Sequence, residues 1–177
     1  MKQAYKYLEK KSLSIDKIQG VLADTLGILV YLHELSPPII HRDIKPSNLM
    51  LRLDGRIVLI DFGQAIDDIH RTFGQTMVTG TLGYQAPEQI HGEAVSKSDV
   101  YSLGGVAEEL LTKRKPRTML EGQVFRWERH CRHLPLGLQE WLDGVLHQDV
   151  SRRYTAKEAL GALNRINDVF VEVVTAK

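Results

Sequence analysis

Apolar residues at Ile15, Ile18, Leu22, Leu26, Leu29 and Leu32 recur at helical spacing behind Ser14, a residue suited to an N-cap. The pattern predicts a helix over residues 14–35, about 33 Å long at 1.5 Å per residue. Val21, Ile28 and Val30 widen its stripe, which calls for cover on more than one side. Ser36, Pro37 and Pro38 end it. Two short apolar runs follow, residues 48–53 and 56–60, separated by Asp54 and Gly55. Asp-Gly between β-prone runs predicts a tight hairpin. Residues 62–85 are rich in Gly, Thr, Gln and Asp without a sustained period, and a loop of that length inside a compact domain is usually functional.

From Lys97 the helical period returns. Val100, Leu103, Val106, Ala107, Leu110 and Leu111 make one stripe, and Leu138, Trp141, Leu142, Val145 and Leu146 a second. Residues 155–169 make a third, with Thr155 as its cap. The basic run from Lys113 to Arg117 falls between helices and reads as a solvated loop, with partner docking as the other reading. The predicted fold class is mainly α, a helical body carrying one β-hairpin and one long irregular loop. Trp127 and Trp141 are expected in the core or at an interface.

Composition adds limits. Among 177 residues, 23 Lys and Arg nearly cancel 22 Asp and Glu, which argues against a nucleic-acid partner. The single cysteine, Cys131, excludes an internal disulfide and a multi-cysteine zinc cluster, and suits a reducing, cytoplasmic setting. It is expected to be an inert, partly buried thiol. The seven histidines show no metal-ligand spacing. The run from Val21 to Leu32, interrupted by Asp24 and Thr25, is too short to cross a bilayer; no membrane segment is expected.

Between the long helix and the hairpin stand His41, Arg42, Asp43, Ile44, Lys45, Pro46, Ser47 and Asn48; Asp61, Phe62 and Gly63 follow the second strand, and Ala86, Pro87 and Glu88 come later. In this order and spacing the chain resembles the C-terminal, large lobe of a eukaryotic-type Ser/Thr protein kinase. The resemblance implies a catalytic loop at 41–48, Asp-Phe-Gly at 61–63, an activation loop at 64–85 and Ala-Pro-Glu at 86–88, within a partial kinase domain over 1–177 whose N-terminal lobe is absent.

The chemistry it implies is ATP- and Mg²⁺-dependent phosphoryl transfer to Ser or Thr hydroxyls of a protein substrate. Asp43 would accept the hydroxyl proton, and Lys45 would offset charge on the transferring group. Asn48 and Asp61, brought together by the hairpin, would be the metal ligands. With Lys45 they would form the ATP site, and Met50 matches the position that floors the adenine. Thr81 matches the residue that binds the catalytic Asp and Lys and shapes the substrate groove. His41 and Phe62 resemble a stacked pair.

Arg42 matches the arginine that pairs with a phosphorylated activation-loop residue, with Thr76 favoured and Thr72 and Thr79 as alternatives. Glu88 and Arg153 match a buried ion pair, and Asp99 matches the aspartate that braces the catalytic-loop backbone. With the small lobe absent, apolar surface around Met50 and Phe62 is expected to be open and to attract a covering partner. Two other readings stay open: a catalytically impaired kinase-like module that binds and regulates a partner, and a small-molecule phosphotransferase, which the Gly80–Glu88 stretch fits poorly.

Overall fold

The computed structural model describes the backbone of residues 2–3, 13–63, 80–121 and 124–175, with side chains over 13–63, 80–119 and 126–166. Its helices are α1 (Ile15–His33), α2 (Pro87–Ile90), α3 (Ser96–Thr112), α4 (Glu128–Cys131), α5 (Leu136–Val145) and α6 (Ala156–Thr175). Its strands are β1 (Lys2–Gln3), β2 (Leu49–Leu51), β3 (Ile57–Leu59), β4 (Leu120–Glu121) and β5 (Val124–Phe125). Single 3₁₀ turns occupy Pro46–Asn48 and Pro116–Met119.

The mainly helical expectation holds. The core lies where α1 packs on α3 and α6, with α5 against α3 and α6. Leu22, Leu26, Leu29, Leu103, Leu142 and Leu163 are fully buried there. Trp141 is buried too, and its indole N–H donates to the Ala159 carbonyl at 2.9 Å, which satisfies the ring's polar end. Thr155 caps α6 reciprocally: its hydroxyl accepts the Glu158 N–H while the Glu158 carboxylate accepts the Thr155 N–H.

Three features depart from the expectation. The hairpin gains a third strand, because β1 pairs antiparallel with β2 and sets Gln3 opposite Met50. A second, two-stranded ribbon joins β4 to β5. The α3 helix is buried on all sides rather than along one stripe, taking Ser98, Asp99, Ser102, Glu108 and Glu109 inside with it. Gly104 explains part of that closeness: a Cβ there would meet the Leu146 side chain at 2.7 Å. Met50 and Phe62, expected to lie on open apolar surface, are both half-buried. Among the described residues no helix is long and apolar enough to cross a membrane.

Candidate active site

The β2–β3 hairpin places the site's two flanks side by side. Ile60 N–H donates to the Asn48 carbonyl at 3.0 Å, so the residue entering β2 and the residue leaving β3 are joined. Asp61 follows immediately. It is exposed, and it has a left-handed backbone (φ 67°), as Arg42 does at the other flank (φ 70°). Such conformations are uncommon for residues with a Cβ and tend to occur where a side chain must be aimed.

At the centre, Asp43 is only 6% exposed and its carboxylate is held from three directions. One oxygen accepts the Thr81 hydroxyl at 2.8 Å; the other meets Lys45 Nζ at 2.6 Å and Asn48 Nδ2 at 3.2 Å. The Lys45 ammonium also donates to Thr81 Oγ1 at 3.0 Å, so Asp43, Lys45 and Thr81 form a closed triangle. Asn48 Nδ2 donates a second bond, to the Asp43 carbonyl at 2.8 Å, which fixes the loop's curvature from within.

His41 is fully buried beneath this loop, and its ring links two segments. Nε2 lies 3.0 Å from the Ile60 carbonyl, which can only accept, so Nε2 carries the proton and Nδ1 is left to receive the Asp43 N–H at 3.3 Å. Phe62 meets the His41 ring edge-on, with centroids 4.8 Å apart and planes 63° apart, rather than in a parallel stack.

The loop's backbone is anchored by Asp99, wholly buried in the first turn of α3. Its two oxygens accept the backbone N–H groups of His41 and Arg42, each at 2.8 Å. A carboxylate at a helix N-terminus is also favoured by the exposed backbone dipoles there. Sequence reasoning missed a partner in this arrangement: His33, in the last turn of α1, reaches the same Asp99 oxygen at 3.0 Å. Nothing in its spacing marks it, since its partner lies 66 positions away. Gln89 was likewise not anticipated; its Nε2 donates to the Arg42 carbonyl at 2.5 Å.

Glu88 and Arg153 form the expected pair, with guanidinium-to-carboxylate distances of 2.6 and 3.0 Å. Burial works to raise the Glu88 pKa, but the hydrogen bonds from Arg153 and Ser98 outweigh it and hold the carboxyl below its usual range. The spare Arg153 donors reach the His147 and Lys97 carbonyls.

Among the described residues no cluster of three or more His, Cys, Asp or Glu could hold a metal. Asn48 and Asp61 together offer one amide oxygen and one carboxylate. That set does not cage an ion, but it suits Mg²⁺, which prefers one or two protein oxygens alongside substrate phosphates and water. Thr72, Thr76 and Thr79 lie outside the described residues.

Residues 1–162 match the family described as protein kinase domain. The chain is 36% identical over 163 residues to serine/threonine-protein kinase PknA of Nostoc sp., covering 85% of this chain and 28% of that protein. It is 34% identical over 158 residues to serine/threonine-protein kinase D of Synechocystis sp., covering 84% of this chain and 31% of that protein. A shorter match, 51% over 102 residues, covers 54% of this chain and 28% of PTI1-like tyrosine-protein kinase 1 of Arabidopsis thaliana. The chain thus spans less than a third of the length of these relatives.

Proposed function

The chain belongs to the protein kinase domain family, and on that footing we propose that it transfers the γ-phosphoryl group of ATP to Ser or Thr hydroxyls of a protein. The observation that carries the reading is the closed triangle of Asp43, Lys45 and Thr81. The acceptor hydroxyl attacks the γ-phosphorus, its proton passes to Asp43, and the bond to the ADP oxygen breaks with its electron pair leaving on ADP. Lys45, already oriented by both neighbours, offsets charge on the group in transfer. Asn48 and Asp61 are the side chains that would hold Mg²⁺, which supplies charge neutralisation across the phosphates. Met50, on the central strand of the three-stranded sheet, is the candidate floor for the adenine.

The Ser/Thr preference rests on Lys45 and its bond to Thr81 beside Asp43. In the same reading, residues 1–177 belong to the large lobe, with the catalytic loop at 41–48 and an activation loop at 64–85. Arg42 answers a phosphorylated threonine on that loop. The lone buried thiol of Cys131 is in keeping with a reducing, cytoplasmic setting.

The test is transfer of γ-phosphate from Mg-ATP to Ser- and Thr-containing peptides by the chain and by Asp43→Asn. The expected result is transfer that falls by about 10²–10⁴-fold in the variant. A folded chain that binds partners but transfers to no acceptor overturns the enzyme reading and leaves that of a regulatory module.

A further inference from the structure

Beside the triangle lies an open cavity of about 440 Å³ whose lining includes Lys45, Ser47, Thr81, Tyr84, Lys115 and Arg117. Three of its nine lining residues are cations, the rest of the wall is largely apolar, and no carboxylate lines the cavity among the described residues. Its walls are brought together by Gly83, which has φ 97°, and where a Cβ would meet the Arg117 backbone nitrogen at 2.6 Å. The loop carrying Thr81 can therefore lie directly on the 3₁₀ turn that carries Arg117.

An acidic group beside the cavity that could have served a basic ligand is already engaged. Glu109 accepts both the Tyr84 hydroxyl and, at 2.5 Å, Lys115 Nζ. Lys45 is paired with Asp43 in the same way. Arg117 is exposed and makes no ion pair among the described residues. The stretch of chain that carries this turn has the same sign. Residues 113–133 hold seven Lys and Arg against two Glu, a net +5, while the rest of the chain stands at −4. The Arg126 N–H bonds to the Met119 carbonyl, which ties the later part of this basic stretch to the turn at the cavity.

We propose that this cavity takes an aspartate or glutamate side chain of the substrate, one or two residues from the accepting hydroxyl, with Arg117 as its main counter-charge. The inference rests on the kinase reading, because the cavity becomes a subsite only if the acceptor sits at Asp43. An extended peptide advances about 3.3 Å per residue, which suits the proximity of Thr81 to both. A guanidinium recognises a carboxylate through two parallel hydrogen bonds, so the choice of acid over base follows from geometry as well as sign.

The experiment measures binding of labelled Ser-containing peptides to the full chain by fluorescence anisotropy, with Asp, Ala or Lys flanking the serine, alongside transfer from Mg-ATP to the same peptides. The Asp peptide should bind at least about tenfold tighter than the Lys peptide. Arg117→Ala should level the series and Arg117→Glu should invert it. Equal binding of all three peptides, or a Lys preference in the unaltered chain, overturns the proposal. Transfer without discrimination overturns it too and leaves the kinase reading standing. Discrimination without transfer to any peptide leaves only a carboxylate-binding cavity; it sinks the kinase reading and the substrate subsite with it.

Discussion

Thr81 donates its hydroxyl to Asp43 across 38 positions of chain, at 2.8 Å, while accepting from Lys45. One small side chain thus sets both the direction of the carboxylate and the reach of the ammonium. Thr81→Ser keeps the hydroxyl and should retain most transfer activity. Thr81→Val keeps the shape, removes donor and acceptor together, and should lower kcat by about 10–100-fold, in line with small losses of alignment. An unchanged kcat in Thr81→Val would show that Asp43 and Lys45 hold their positions without it.

Arg153 is 1% exposed and its charge is answered by Glu88. Arg153→Met strands the Glu88 carboxylate and should destabilise the fold by about 3–5 kcal/mol in urea denaturation at pH 7. The pH dependence has a definite sign. Because the Glu88 pKa is lowered in the fold, its contribution is present above the unfolded value and is lost as pH falls through the folded value. The gap between the two proteins should therefore narrow in strong acid.

Glu108 sits on α3 with no exposure, bonded to the hydroxyl and helical surroundings of Thr112, and burial pushes its pKa up to about 8. The folded chain then holds a proton that the unfolded chain releases near pH 4.5. Stability should fall between those values and level off above about pH 8. Glu108→Gln removes the ionisation and should flatten that slope, gaining on the order of 2–4 kcal/mol over the original at pH 8. Parallel denaturation curves at pH 5 and pH 8 for the two proteins check it.

Cys131 has no exposed surface, and burial together with the carboxylates of Glu108 and Glu128 pushes its thiol up to about 12. It should fail to react with a thiol reagent in the folded protein at pH 8 and titrate as one equivalent in denaturant. Rapid labelling of the native chain would contradict the packing around α4.

The candidate site's residues were readable as a group because they fall in short, ordered motifs: residues 41–48 and 61–63 need only a hairpin between them to meet. The long helix was equally legible, since its stripe is regular. Asp24 and Thr25, which interrupt that stripe, proved to be satisfied polar groups: Asp24 accepts the Ile57 N–H at the edge of β3, and Thr25 bonds back to the Val21 carbonyl. What was not legible depends on distant partners. Four polar residues of α3, Ser98, Asp99, Ser102 and Glu109, lie buried because Glu88, Tyr84, Lys115 and the backbone of residues 41–42 come to meet them, and no local period records that. His33 escaped notice for the same reason. The strands β1, β4 and β5 are two residues each, too short to leave any alternation.

The left-handed backbones at Arg42 and Asp61 set folding and chemistry against each other. Glycine would adopt either conformation without the roughly 1–2 kcal/mol that a Cβ adds there. Relaxing the chain at these two points would erase the guanidinium and the carboxylate that the flanks present. A selection for thermal endurance alone should therefore drift toward glycine at both positions and yield a hardier protein with a silent cleft. On the proposed function, the two residues mark where this chain holds usefulness above durability.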